Sequence, residues 1–157
     1  MKITAWRITR KKYVSKAFSG EGAKTYGGRW NPVGFPMVYL AQSLSLAILE
    51  LMVHLEDDSD ISGFVAIPVT FDSALVQAVP PSRLPKNWLD LPVSEQSQNF
   101  GRQWLEAKQS LVLQVPSSVV PNESNFLVNP RHPQFSLLKI GSPQPLHIDR
   151  RITGTMQ

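Results

Sequence analysis

The feature that most constrains the fold is one helical stripe of apolar residues, set between runs typical of β-strands. The stripe follows Ser43, a good N-cap residue, and recurs at helical spacing through Leu44, Ala47, Ile48, Leu51 and Leu55. We expect this helix to end near the acidic stretch 56–60, with Glu50 off the centre of the stripe. Strand-like runs rich in β-branched and aromatic residues lie at 3–9, 36–41 and 63–71.

The rest of the chain continues this mixture in shorter pieces. A polar helix capped by Ser94 is expected over 94–108, and four prolines mark 78–92 as a loop. Pro68 indicates an edge or bulge in its strand. Further strands are expected at 111–115 and 118–120, interrupted by Pro116, and at 125–130 and within 134–152. The sum predicts an α+β fold with a compact, strand-rich core and a few helices, in a single domain over 1–157.

Composition excludes several classes of protein. Apolar residues make up 42% of the 157 residues, which argues against a disordered chain. Cysteine is absent, so disulfide scaffolds, thiolate-ligated metal sites and a cysteine nucleophile are excluded. The three histidines are too scattered to suggest a metal site. The sequence has neither a long apolar run nor the apolar core of a signal peptide, so we expect a cytoplasmic protein without a membrane partner.

The charges are distributed unevenly. Residues 1–29 hold eight Lys or Arg residues against the single acid Glu21, whereas 30–72 hold six acids and no Lys or Arg. A basic opening can attract nucleic acid or a small polyanion. A solvated surface explains the cluster Arg10-Lys11-Lys12 equally simply, because short basic runs are common on protein surfaces.

One candidate site is the glycine-rich segment Gly27-Gly28-Arg29-Trp30-Asn31. Glycines permit close approach of the backbone to a ligand, and a guanidinium provides a planar fork for phosphate or carboxylate. Trp30 would add a stacking surface and Asn31 an amide. An ordinary glycine turn with a surface arginine accounts for the same residues.

Other candidates are single polar residues in structured surroundings. Glu50 is a carboxylate within an apolar helical stretch with no cation near it in sequence, although a solvent-facing helix position explains it too. Tyr39, in the preceding strand, has an ordinary explanation as a half-buried aromatic residue. Ser117 follows a proline, but the Gly-x-Ser-x-Gly motif is absent, so a serine hydrolase is poorly supported. Asn129, before Pro130, is typical of a turn.

Taken together and in order, these motifs resemble those of the RES domain family. The run "WR…GEGAKTYGGRWNPVGFPMVYLAQSLSLAILELMVH" carries the resemblance, and "VPSSVVPNESNFLVNPRHPQF" and "HIDRRI" extend it. The resemblance covers residues 5–152 and is weakest between about 74 and 110. It implies a fold similar to that of ADP-ribosyltransferase toxins, and a bacterial toxin that consumes NAD⁺. It also implies a cognate helical antitoxin of the Xre type that covers the active site, so that DNA is contacted only through the antitoxin.

The resemblance also implies which residues act. The family's arginine falls on Arg29, its aromatic residue on Tyr39, its glutamate on Glu50 and its serine on Ser117. A second arginine, in the first strand, falls on Arg7. We expect the first four of these, from Arg29 to Ser117, to be catalytic. Substrate contacts are expected from Arg7, Gly28, Trp30, Asn31 and Asn129. NAD⁺ would then be a substrate, with no resident cofactor or metal.

The chemistry of NAD⁺ suits these residue types. A glycine loop and a guanidinium can hold a pyrophosphate. Cleavage of the nicotinamide–ribose bond has an oxocarbenium-like transition state, which a carboxylate such as Glu50 can stabilise. Tyr39 can stack on the nicotinamide ring, and Ser117 can bond the carboxamide or a ribose hydroxyl. The acceptor can be water, phosphate or a protein side chain, and a nucleic-acid-binding module remains the alternative of another class.

Overall fold

The centre of the molecule is a curled β-sheet. A computed structural model describes residues 1–55 and 61–153. The strands are β1 (Lys2–Arg10), β2 (Val38–Ala41), β3 (Phe64–Asp72), β4 (Val76–Ala78), β5 (Val112–Pro116), β6 (Ser124–Val128), β7 (Lys139–Ile140) and β8 (Gln144–Pro145). The helices are α1 (Glu21–Tyr26), α2 (Leu44–His54), α3 (Glu95–Ala107) and α4 (Arg150–Thr153). The α+β class expected from the sequence is confirmed.

Strand order places the middle of the chain beside its first strand. The sheet runs β4-β5-β6-β2-β1-β3-β7, and β8 also pairs with β3. All pairs are antiparallel except β4 with β5. Pro68 pairs with Trp6 on the β1 side, while its other side faces the gap between the short strands β7 and β8. A residue without an N–H is tolerated there because the ladder is already interrupted.

Helix α2 crosses the sheet beside β1 and β2. The Ser43 hydroxyl caps it by accepting from the Leu46 amide at 3.1 Å, as its position predicted. Its buried residues are Leu46 and Ala47, so the buried face is rotated from the predicted stripe. Glu50 follows Leu46 by one turn and shares that face, contrary to the sequence prediction. The helix ends at His54, and the stretch 56–60 lies outside the described residues.

Helix α3 packs closely against the glycine-rich segment. Ser94 caps this helix through the Ser97 amide at 3.1 Å, as predicted. A β-carbon on Gly101 would lie 1.6 Å from the carbonyl oxygen of Trp30, so only glycine permits this approach. The proline-rich segment between β4 and α3 is a loop, also as predicted, with one short turn at Pro81–Arg83. None of the helices in the described ranges is long and apolar enough to cross a membrane.

Candidate active site

A cleft with two connected lobes lies where β1, β2 and α2 meet. The large lobe has a volume of about 810 Å³ and the small lobe about 250 Å³. Five residues line both lobes and therefore mark their junction: Arg7, Tyr39, Glu50, His54 and Asn125. Ligand-binding clefts typically measure about 300–1,000 Å³, so the large lobe alone is of suitable size.

Glu50 stands at the junction of the two lobes. Its Oε1 accepts a hydrogen bond from Asn125 Nδ2 at 2.9 Å, and its Oε2 accepts one from Ser117 Oγ at 3.2 Å. Burial raises the pKa of Glu50, and the two hydrogen bonds act in the opposite direction. The side chain is half-buried, so the carboxylate is held by protein yet open to the cleft.

The donors around Glu50 favour its ionised form. Ser117 Oγ accepts from the amides of Val119 at 3.1 Å and Val120 at 3.2 Å, so its own hydrogen is directed to Glu50. The Asn125 amide group also donates. A carboxylate is a stronger acceptor at both oxygens than the neutral acid, so both bonds stabilise the charged form against the effect of burial. This arrangement favours a negative charge held at the cleft.

The Tyr39 hydroxyl holds the glycine-rich segment through two hydrogen bonds. It donates to Asn31 Oδ1 at 2.5 Å and accepts from the Trp30 amide at 3.1 Å. Burial raises the pKa of the Tyr39 hydroxyl, which therefore stays protonated and able to donate. A β-carbon on Gly28 would lie 2.6 Å from this hydroxyl, so glycine is required there. Tyr39 also lines both lobes, where its side chain is available to a ligand.

Arg29 connects the glycine-rich segment to the loop before α3. Its Nη1 donates to the carbonyl oxygens of Trp88 at 2.6 Å and Asp90 at 3.2 Å. Leu89 and Leu91 of the same loop line the large lobe. Burial lowers the pKa of Arg29, while the negative charge of Asp90 acts to raise it. Arg29 thus lines the large lobe and holds the loop that forms one of its walls, while its catalytic role stays a prediction.

Arg7 reaches the cleft from the middle of β1. Its Nε donates to the carbonyl oxygen of Ala17 at 3.1 Å, and burial lowers its pKa. Across residues 1–55 and 61–153, no other hydrogen bond and no carboxylate within 4.0 Å is found for this guanidinium. Arginine stays protonated in proteins, so Arg7 brings an unpaired positive charge to both lobes.

Two predicted substrate contacts, Trp30 and Asn31, have structural roles in the glycine-rich segment. Trp30 lines the large lobe but is only 2% exposed, because its ring packs against Trp88 and Phe100. Asn31 is 0% exposed because its amide donates to three backbone carbonyls and its oxygen accepts from Tyr39. Both residues shape the glycine-rich segment, and their contact with a substrate stays a prediction.

Ser117 and Asn129 lie away from the open space of the cleft. Ser117 is 0% exposed and bonds Glu50, so it positions the carboxylate, and a direct part in catalysis stays a prediction. Asn129 comes directly after the last residue of β6, whereas Asn125 lies near the start of that strand, about 13 Å away. There it donates to the Leu105 carbonyl at 3.0 Å and accepts from the Arg131 amide, which fastens the sheet to α3. Neither residue lines a lobe of the cleft.

Two residues of the cleft were missed as site residues by sequence reasoning. Asn125 lies near the start of β6 and looks in sequence like an ordinary polar residue at a strand end. In the structure its side chain reaches Glu50 on helix α2. His54 lies four residues after Glu50, and this helical spacing is the signal that could have placed it in the cleft. Among the described residues, no group of three or more His, Asp or Glu could hold a metal ion.

Comparison with known proteins shows the family to which the chain belongs. The model of the family described as the RES domain matches residues 4–149. The chain belongs to the RES domain family. It is similar to Toxin Res of Yersinia enterocolitica, with 41% identity over 141 residues that cover 90% of this chain and 92% of that one. It is also similar to the Prs ADP-ribosylating toxin of a Sphingobium species, with 38% identity over 144 residues, 88% of this chain and 89% of that one.

A third relative of this RES-domain chain has been solved in a complex. The NAD(+) phosphorylase MbcT of Mycobacterium tuberculosis is 44% identical over 50 residues, which cover 29% of this chain and 27% of MbcT. The crystal structure of the M. tuberculosis MbcT–MbcA toxin–antitoxin complex matches with a TM-score of 0.74 and 20% identity, over 93% of this chain and 85% of that one. The likeness confirms the expected fold.

Proposed function

We propose that this RES-domain protein is the toxin of a bacterial toxin–antitoxin pair and depletes NAD⁺ by cleaving its nicotinamide–ribose bond, with water or phosphate as acceptor. The observation that carries the proposal is the Glu50 carboxyl group, held by two donors at the junction of the two lobes. The names of the relatives support it, since they include toxins, an ADP-ribosylating toxin and an NAD⁺ phosphorylase.

The reaction needs charge stabilisation more than proton transfer. When the bond between C1″ of the ribose and the nicotinamide nitrogen breaks, its electron pair leaves with a neutral nicotinamide. Positive charge then develops on the ribose, and the fixed carboxylate of Glu50 stabilises it without reorganisation. Tyr39, which lines both lobes, is suited to stack on the nicotinamide ring. Arg29 and the backbone around Gly28 line the large lobe and are suited to the pyrophosphate.

A protein ADP-ribosyltransferase is the second candidate. Its support is the similarity to the Prs ADP-ribosylating toxin, which extends over 88% of this chain. The same carboxylate would serve both reactions because they share the bond that breaks and differ only in the acceptor. The proposal of NAD⁺ depletion is therefore separated from this candidate by its products alone.

The test is product analysis with purified protein and NAD⁺, in the presence and absence of phosphate. We expect release of nicotinamide together with free ADP-ribose or its phosphate ester, detected by proton and phosphorus NMR. Glu50→Gln should lower the rate about 10²–10³-fold, because it removes one preorganised charge at the transition state. ADP-ribose found only on protein would favour the second candidate, and an intact NAD⁺ pool would refute both.

An antitoxin of the Xre type that covers the cleft is the partner we propose. The rim of the large lobe carries exposed apolar side chains, including Val53, Leu89 and Leu91, the last 82% exposed. Exposed apolar side chains grouped in this way are typical of a surface that binds another protein. Calorimetry with the Glu50→Gln variant should show weaker antitoxin binding when NAD⁺ is saturating. Unchanged affinity would place the contact outside the cleft.

A further inference from the structure

The two arginines of the cleft differ in how their charges are satisfied. Arg29 Nη1 donates to two carbonyl oxygens. Arg7 donates only through Nε, to the Ala17 carbonyl, so both of its terminal nitrogens lack a partner among residues 1–55 and 61–153. Neither terminal nitrogen is among the fully enclosed unpartnered atoms of the described residues, and Arg7 lines both lobes of the cleft. An accessible guanidinium fork with no partner is suited to bind an oxyanion.

The position of Arg7 indicates which anion it would meet. It lines the small lobe with His54 and Trp6, and this lobe shares Glu50 and Tyr39 with the large lobe. The small lobe measures about 250 Å³, below the roughly 300–1,000 Å³ of sites for whole organic ligands. It has room for a tetrahedral oxyanion and a few waters, since one water occupies about 30 Å³ in the liquid. An anion here would stand beside Glu50, and the part of the large lobe around Gly28, Arg29 and Leu89 would stay open to a dinucleotide.

From this arrangement we propose that Arg7 and His54 form an acceptor subsite for inorganic phosphate in the small lobe. The inference rests on the proposed function and specifies its acceptor. A phosphate oxygen forms the new bond to C1″ of the ribose as the bond from C1″ to nicotinamide breaks. The electron pair leaves with nicotinamide, the product is ADP-ribose 1″-phosphate, and the phosphate proton passes to water when the monoester ionises.

Arg7 has a second task in this scheme. Monohydrogen phosphate and the Glu50 carboxylate are both negative, so phosphate would be repelled from the site that stabilises the oxocarbenium. The positive charge of Arg7 between the lobes offsets that repulsion and holds the nucleophile close to the anomeric carbon. His54, which lines the same lobe, provides a further ring nitrogen to a phosphate oxygen.

The experiment measures NAD⁺ cleavage at varied phosphate and identifies the products by phosphorus NMR. Arg7→Lys keeps the charge but loses the fork, and should raise the KM for phosphate about tenfold or more while the KM for NAD⁺ changes less than threefold. The product should shift from the phosphate ester towards free ADP-ribose. His54→Gln should change both readouts in the same direction by less. Lys11→Met, an exposed cation in the turn after β1, is the control and should change neither readout.

A binding measurement keeps the inference testable if the Arg7 variants are poorly active. Phosphate, and sulfate as an unreactive probe, should bind the Glu50→Gln protein in calorimetry and compete with each other, and Arg7→Lys should abolish this binding. Nicotinamide release that does not depend on phosphate and gives only ADP-ribose would overturn the subsite and leave NAD⁺ cleavage intact. A rise in the KM for NAD⁺ alone would assign Arg7 to the dinucleotide and also overturn it. Absence of nicotinamide release would refute the proposed function itself, and the subsite with it.

Discussion

Asn125 should control the pH range in which Glu50 works. Its amide donates to Glu50 Oε1 at 2.9 Å and thereby lowers the pKa of a carboxyl that burial raises. Asn125→Ala removes this donor, so the pKa of Glu50 should rise further. Because only the ionised carboxylate stabilises the oxocarbenium, the acid limb of the rate profile should move to higher pH.

The size of the shift follows from the hydrogen bond. A bond to a charged group contributes about 1.5–3 kcal/mol, and cleft water replaces part of the lost amide, so the lower end applies. One pKa unit corresponds to about 1.4 kcal/mol, which gives a shift of about one unit. At the midpoint of the wild-type acid limb the ionised fraction then falls from one half to about one eleventh, a loss of roughly fivefold. On the alkaline plateau the variant should recover most of the wild-type rate.

The assay is nicotinamide release from NAD⁺ between pH 4 and pH 9, about the range of a raised carboxyl pKa. Asn122→Ala, an exposed turn residue three positions earlier, is the matched control and should keep the wild-type profile. Ser117→Ala should shift the limb in the same direction by less, since its bond to Glu50 is longer at 3.2 Å. The reasoning fails if Asn125→Ala lowers the rate equally at every pH with the midpoint unchanged, or if the midpoint moves to lower pH.

Three further predictions concern the walls of the cleft. Arg29→Lys should lower the rate of NAD⁺ cleavage at least tenfold, because one ammonium cannot hold the two loop carbonyls that Nη1 reaches and also offer a planar fork to the pyrophosphate; a change below twofold would contradict this. Tyr39→Phe should cost about 1–3 kcal/mol in urea unfolding by leaving buried partners unpaired, with kcat nearly retained if only the ring acts on the substrate. Gly101→Ala should destabilise by about 1–3 kcal/mol or more, because its β-carbon meets a backbone oxygen at 1.6 Å. Gly22→Ala, with open space around it, should not destabilise, and equal unfolding midpoints for the two would refute the packing argument.

The local elements of this chain follow from its sequence. The apolar spacing after Ser43 gives α2 its start, and β-branched runs give β1 and β3, because capping and burial are decided within a few residues. The order of motifs likewise suffices to recognise the family and therefore the fold. Arg7, Arg29, Tyr39 and Glu50, named from those motifs, line the same cleft, while their roles in substrate binding and catalysis stay predictions.

Which face of a helix is buried was decided only by the tertiary structure. Periodicity placed Glu50 off the apolar stripe, but Asn125 and Ser117, distant in sequence, provide two donors on that side. A carboxylate can be buried when its oxygens are paired, so the partners outweigh the hydrophobic pattern of the helix.

The same holds for the polar residues that the motifs made conspicuous. A sequence shows that Asn31 or Ser117 is present, not whether its hydrogen bonds are already taken by backbone groups. The Asn31 amide donates hydrogen bonds to three backbone carbonyls. In contrast, both terminal nitrogens of Arg7 lack a partner among the residues that the structure describes. Residue type and order are properties of the chain, but the choice between holding the fold and meeting a ligand depends on which donors and acceptors folding brings within about 3 Å.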